Sequence, residues 1–375
     1  MTALAVALLA VLPASAPAAA ADPALSVPQA QLDAALTCPD TFDSAREPVL
    51  LVHGTGANSA ENWSWNYGKV LPELGYDVCA VDLPNRALDD IQVSTEYVVH
   101  AILTMAERSG RKVDVMGHSQ GGLQPRWAVR WWDAARAAVD DLVALATPNH
   151  GTLAADTACA GVECPGAAHQ MKQGSAFLAA LNSPDETPGD VSYTSVYSLT
   201  DELVQPAAPE PTAALEGASN IAIQDLCPGR VGEHAAMAAD AVAYEMVIDA
   251  FTEPGPADPA RFDPLTCAKT SFDGVTAGPM LDLALDELEN GRFPDYRPLA
   301  EEPPLAPYAR PPAPAPDQPA AQPAAPTTGP TAGSGSAPQS SPALELPRTG
   351  GLSSLLLSGL LSAGGLAGIA VRRRL

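Results

Sequence analysis

Val113–Gly122 reads VDVMGHSQGG, and this stretch decides the fold. An apolar alternating run ends in Gly117-His118-Ser119-Gln120-Gly121, and a helical pattern starts at once. The arrangement is G-x-S-x-G set between a strand and a helix. The serine must adopt a strained backbone conformation to lift its hydroxyl above the sheet edge. Neighbours without a Cβ let strand and helix approach closely there. The helix N-terminus beneath the serine brings a positive dipole end to a place where negative charge can develop. A Gly-rich turn with an exposed serine is the bland alternative, and it leaves the rest of the chain unexplained.

Upstream, Pro48–Gly54 (PVLLVHG) is an unbroken apolar run, the pattern of a strand in a parallel sheet covered on both faces. Gly54-Thr55-Gly56 follows it directly, and Asn58–Leu74 reads as a loop and helix. Tyr76–Leu83 is the next strand. Ile91–Arg108 carries Val98, Ile102 and Met105 at helical spacing, with Gly110 as a stop. Beyond the serine, Gln120–Ala137 predicts a helix in which Pro125 is tolerated near the first turn. Asp141–Thr147 is a strand, Gln170–Leu181 a helix, and Val191–Leu199 a strand ending at Thr200-Asp201-Glu202. Asn220–Leu226 reads as a short strand, Val231–His234 as a loop and Ala235–Phe251 as a helix. Strand and helix patterns alternate from Val49 to Ala146, which calls for an α/β architecture: a mostly parallel sheet, helices on both faces, right-handed connections.

A serine hydroxyl becomes a nucleophile only with an imidazole to take its proton and a carboxylate to orient that imidazole. Six histidines are available. His53 precedes the Gly54–Gly56 loop and His118 lies inside the serine turn, so geometry excludes both. His100 falls in a helix before the serine. His150 and His169 precede any good acid. His234 follows a strand end late in the chain, and Asp201 at a strand end completes the order Ser…Asp…His of α/β-hydrolases. Asp225 is the rival acid, disfavoured by sitting so near the base. Thr55, in the loop after the first long strand, is placed to donate its backbone N–H and its hydroxyl to an oxyanion; helix capping is its bland reading. Trp63, Trp65 and Tyr67 either pack the core or line an acyl site.

The chain resembles the Candida antarctica lipase B-like lipases and their actinobacterial relatives. The resemblance rests on LLVHGTG (Leu50–Gly56), STEYVVHAI (Ser94–Ile102), GHSQGGL (Gly117–Leu123), YSLTDELVQP (Tyr197–Pro206) and PYARP (Pro307–Pro311), and covers about Leu32 to Pro311. It implies an α/β-hydrolase fold and a metal-free serine lipase or esterase. Ser119 would be the nucleophile, Asp201 the acid, His234 the base, and Thr55 with the backbone N–H of Gln120 the oxyanion hole. The family's disulfides would map to Cys38–Cys79 and Cys227–Cys267, leaving Cys159–Cys164 as the third. By count alone, six cysteines in an exported chain suggest three disulfides with fifteen possible pairings, and only Cys159 and Cys164 are close enough to suggest a local loop. His118 stands where the fungal enzyme has a tryptophan, Asn149 replaces an aspartate near the acyl pocket, and the Asp201–His234 stretch differs in length, so chain-length preference does not carry over.

The 375 residues carry a net charge of −24, which argues against nucleic acid as a partner and suits a solvated secreted protein. Residues 1–21 are Ala-rich and apolar and end in small residues, like a secretory signal; they lack the usual positive n-region, and a true start upstream is the expectation. Residues 22–311 form the expected catalytic domain. Pro and Ala dominate from Pro303 to Leu344, and residues 312–345 are expected to be an extended spacer. Residues 346–375 begin with Leu346-Pro347-Arg348-Thr349-Gly350, run without charge to Val371 and close on Arg372–Arg374. That layout resembles a sortase sorting signal, implying cleavage between Thr349 and Gly350, attachment to peptidoglycan of a Gram-positive wall, and a transient membrane span. The expectation is a wall-anchored, monomeric serine ester hydrolase acting on lipid-like esters, with no metal and no organic cofactor. Acyl transfer, hydrolysis of envelope lipids or polyesters, and a surface adhesin on an inactive scaffold are the alternatives.

Overall fold

The computed structural model describes residues 21–275 and 297–310. Almost all of the expected signal segment, the 312–345 spacer and the 346–375 sorting signal with Thr349 and Gly350 lie outside them. Every described residue falls in one compact unit, residues 1–313; the second unit, 314–375, holds none. Among the described residues no helix is long and apolar enough to cross a membrane.

Among the described residues seven strands form one sheet: β1 (Leu36–Thr37), β2 (Val49–Val52), β3 (Val78–Val81), β4 (Val113–His118), β5 (Val139–Leu145), β6 (Ser192–Tyr197) and β7 (Ser219–Ala222). Their order is β1-β3-β2-β4-β5-β6-β7, and only the β1–β3 pairing is antiparallel. The two faces explain the unbroken apolar run at β2. Leu50 and Val52 point into one core with Val98, Ile102, Met105, Trp127 and Phe177; Val49 and Leu51 point into the other with Trp63, Tyr67, Met246 and Val247. All four β2 side chains are buried, and each contributes ~1.5–3 kcal/mol of transfer free energy. Trp127 stacks on Phe177 at 4.5 Å between ring centres, which packs the helix after Ser119 against the helix Ala176–Asn182. The α/β-hydrolase expectation is met.

Several elements differ from their sequence reading, each for a tertiary reason. The long helix after Ser119 breaks at Trp132, whose indole N–H donates to Pro23 O at 2.7 Å, giving helices Leu123–Trp131 and Asp133–Ala138. Gln170–Leu181 is two short helices, Gly166–Gln170 and Ala176–Asn182, the second capped by Ser175. Asn220–Leu226 is a strand only as far as Ala222, then a helical turn, Ile223–Leu226. Ala235–Phe251 opens as a tight turn, Ala235–Ala239, before Asp240 caps the helix Ala241–Thr252 through the amides of Val242 and Ala243. Three disulfides, Cys38–Cys79, Cys159–Cys164 and Cys227–Cys267, pair as the resemblance implied. The first ties the N-terminal lead-in to β3.

Candidate active site

Ser119 sits at the C-terminal end of β4 with φ of 57°, a left-handed conformation that costs a non-glycine residue of order 1–3 kcal/mol. The glycines on either side permit it. A Cβ on Gly117 would collide with the carbonyl of Gly121, and one on Gly121 with the carbonyls of Val52 and His53. Strand β4, the helix start and the end of β2 are therefore packed backbone against backbone, and the serine is lifted at their junction. Ser119 is half-buried.

Two loops deliver the partners. Asp201, beyond β6, and His234, beyond β7, are 2 % and 6 % exposed, dry enough to strengthen their contact. His234 Nδ1 lies 2.8 Å from Asp201 Oδ2, and His234 Nε2 lies 2.9 Å from Ser119 Oγ. A carboxylate only accepts, so Nδ1 carries the proton and Nε2 is the free acceptor facing the serine. Asp201 Oδ1 accepts the amides of Leu203 and Val204, each at 2.8 Å, so the carboxylate cannot rotate. The His234 amide donates to Glu202 Oε2 at 2.9 Å. His118 Nε2 donates to the His234 carbonyl at 3.2 Å and its ring lies 5.2 Å from the His234 ring. Burial and the adjacent His234 push the His118 pKa down to about 3, so it adds no competing positive charge.

The other histidines are engaged elsewhere. His53 donates from Nδ1 to Gly54 O and accepts the Leu83 amide at Nε2, both at 2.9 Å, bracing the loop after β2; burial holds its pKa down. His100 pairs with Asp33, His150 with Glu186, and His169 with the Leu299 carbonyl. Asp225 is exposed on the turn after β7. Trp63 and Tyr67 belong to the core, with Trp63 edge-on to His118.

Thr55 and Gln120 come together: Thr55 Oγ1 donates to Gln120 Oε1 at 2.5 Å, and Gln120 Nε2 donates to Ala87 O at 2.9 Å. The loop is also gripped by residues that sequence reading passed over. Gly54 N donates to Asn62 Oδ1 at 3.0 Å. Arg86 Nε donates to Gly56 O at 2.6 Å while Gly56 N donates to Arg86 O at 2.8 Å, and the Arg86 guanidinium pairs with Glu61. Asn85, Arg86 and Ala87 all have positive φ, 51°, 56° and 59°. Three successive strained residues persist only where their surroundings over-determine them, here against the loop bearing Thr55. No local motif announces this; it exists only once Gly56 and Glu61 are brought alongside.

On the flank of the site, Asn149 is fully buried, accepting from Arg126 at 3.1 Å and donating to Ala213 O at 2.7 Å. Burial lowers the Arg126 pKa to about 10, yet it stays charged at neutral pH. Among the described residues two side-chain groups have the spacing of metal ligands. Cys159, Cys164 and His169 form one, but its sulfurs are joined to each other. The other, Asp114, Asp140 and Asp141, lies at the opposite ends of β4 and β5 from Ser119.

A family described as Lipase (class 2) matches residues 46–227. Lipase B of Pseudozyma antarctica is 35 % identical over 229 residues, 60 % of this chain and 67 % of its own length. A triacylglycerol lipase of Pseudarthrobacter phenanthrenivorans is 29 % identical over 124 residues, 31 % of this chain and 38 % of that protein. The crystal structure of Aspergillus fumigatus lipase B superposes with a TM-score of 0.72 at 30 % identity, covering 80 % of this chain and 76 % of that one. On this identity and coverage, the chain belongs to the lipase B family of lipases, carboxylic ester hydrolases on an α/β-hydrolase fold.

Proposed function

We propose that the chain is a secreted serine lipase or esterase that cleaves acylglycerol-type esters through an acyl-enzyme on Ser119. The unbroken file Ser119–His234–Asp201, with spacings of 2.9 and 2.8 Å, carries the reading. His234 Nε2 takes the Ser119 proton as Oγ attacks the ester carbonyl carbon. The oxyanion that forms is held by the backbone N–H groups of Thr55 and Gln120, with the Thr55 hydroxyl turning from Gln120 to join them. His234 returns the proton to the leaving alcohol, and a water, deprotonated in turn by His234, releases the acid. Asp201 holds the imidazole and balances its charge. Each oxyanion donor is worth ~10²–10³ in rate.

Residues 22–311 are proposed as the catalytic domain. The Leu346–Gly350 motif, the uncharged run after it and the terminal arginines support export and sortase attachment to peptidoglycan at Thr349. Three disulfides fit an oxidising exterior.

Hydrolysis of nitrophenyl esters from short to long acyl chain, by the protein and by Ser119→Ala, tests the reading. Activity lost in the variant supports it; activity retained in a folded variant overturns it. Long-chain activity marks a lipase and activity confined to short chains an esterase. Ester synthesis exceeding hydrolysis when an alcohol is present would redirect the assignment to acyl transfer.

A further inference from the structure

We propose that Asp114, Asp140 and Asp141 form a calcium-binding site at the N-terminal edge of the sheet. The sequence reading expected no metal. The site arises from a strand irregularity that no local pattern shows. Val113 pairs with Val139 and Val115 with Leu142, so on β5 both Asp140 and Asp141 lie opposite the single residue Asp114 on β4. Such a bulge re-aims side chains, and here it turns three carboxylates together. One oxygen from each lies within 4.8 Å of the others. Calcium–oxygen bonds of about 2.3–2.6 Å let two ligands of one ion sit up to roughly 5 Å apart, so a single ion spans the group.

The second observation is independent of the acidity. Asp114 and Asp141 are 2 % and 6 % exposed, and the Oδ1 atom of each is buried without a hydrogen-bond partner in the protein. An unpartnered buried carboxylate oxygen is costly. The protein supplies little against this. The Asp141 amide serves Asp114 and the Ser192 hydroxyl serves Asp141, while Glu47 adds negative charge. Lys112 bridges Asp140 Oδ1 at 3.1 Å, but both side chains are 43 % exposed, at the rim.

The donor set is all oxygen and anionic, which selects a hard cation. Calcium accepts six to eight ligands in irregular geometry, with water completing the shell on the half-exposed Asp140 side. Magnesium demands a near-ideal octahedron and gives up its waters reluctantly, which suits a sheet interior poorly. Five residue steps along β4 lead from Asp114 to Ser119, roughly 16 Å at strand spacing. The ion therefore clamps β4 to β5 and takes no part in ester chemistry.

The test uses the full chain stripped with EGTA. Equilibrium dialysis against radioactive calcium reads stoichiometry, and thermal unfolding is followed with millimolar CaCl2, with MgCl2 and with neither. The expected result is one calcium per chain and a melting temperature that rises with calcium concentration, as ligand linkage requires. Asp114→Asn and Asp141→Asn should lose both. Asp140→Asn, at the rim and safe for folding, should weaken calcium binding at least tenfold. Absence of bound calcium, a melting temperature indifferent to it, or an undiminished response in folded Asp114→Asn and Asp141→Asn would overturn the site. A magnesium effect equal to that of calcium would overturn the choice of ion.

Discussion

Asp201→Asn is the substitution whose outcome the geometry constrains most tightly. Asp201 Oδ1 accepts two backbone amides, from Leu203 and Val204, while Oδ2 faces His234 Nδ1. An asparagine side chain has one oxygen and one NH2 group. The two amide donors require the oxygen at their side, so the NH2 group must face His234. Nδ1 then becomes the acceptor and the imidazole proton moves to Nε2, the nitrogen 2.9 Å from Ser119 Oγ. A protonated Nε2 cannot take the serine proton. The wrong tautomer in a Ser-His-Asp triad lowers kcat by about 10⁴, which at 1.36 kcal/mol per decade is about 5 kcal/mol of barrier. Both amide bonds survive, so the melting temperature should move little. Steady-state hydrolysis of nitrophenyl butyrate, with near-ultraviolet circular dichroism as the control for folding, reads the effect. A loss under tenfold in a folded protein would refute the reasoning. Asp225→Asn, on the exposed turn after β7, should leave kcat unaltered.

Arg86→Met removes the grip on Gly56 O and on Glu61 and should lower kcat tenfold or more with KM little changed, bounded by the ~10²–10³ of losing an oxyanion donor outright; unchanged kcat would show that the loop holds itself. Arg86→Lys should rescue little, because an ammonium cannot reproduce the planar fork that reaches both partners. Opening Cys38–Cys79 or Cys227–Cys267, with sequence separations of 41 and 40, should cost about 4 kcal/mol each in urea unfolding by the chain-entropy relation, and opening Cys159–Cys164, with a separation of 5, about 2 kcal/mol. Equal losses would contradict that account. In EGTA, the part of the stability that depends on Asp141 should fall as pH rises from about 4 to about 8. Asp141 keeps its proton in the fold up to about 8 while the unfolded chain releases it near 3.8, so the folded state binds more protons across that window. The slope approaches 1.4 kcal/mol per pH unit at most, and Asp141→Asn should flatten it. A slope unchanged by that variant would contradict the assignment.

The elbow was legible because its physics is local. Gly117, Ser119 and Gly121 are neighbours in sequence, and the collision that forbids a side chain at Gly117 follows from the turn itself, while the one at Gly121 comes from the end of β2. The parallel sheet was legible because β2 buries all four side chains on two faces, which leaves an unbroken apolar run. Asp201 and His234 were reached by chain order and resemblance, and the structure brings both to Ser119. The Cys38–Cys79 and Cys227–Cys267 pairings came only from the resemblance, since counting cysteines leaves fifteen choices and spacing suggests only Cys159–Cys164. What escaped depends on partners remote in the chain. Trp132 ends its helix because Pro23 offers a carbonyl, 109 residues away. Arg86 has no role until Gly56 and Glu61 flank it. Asp114 and the Asp140-Asp141 pair look like surface acids until the β4–β5 register brings them together, with Asp114 and Asp141 buried.

The central claim is that Ser119 is the nucleophile, and reaction with a phosphonate ester carrying a nitrophenolate leaving group tests it most directly. Peptide mapping of the inactivated protein by mass spectrometry should find one phosphonyl adduct, on Ser119, with nitrophenolate released in equal amount and the adduct lost in Ser119→Ala. A folded protein that stays unlabelled, or one labelled at another residue while activity disappears, would contradict the account.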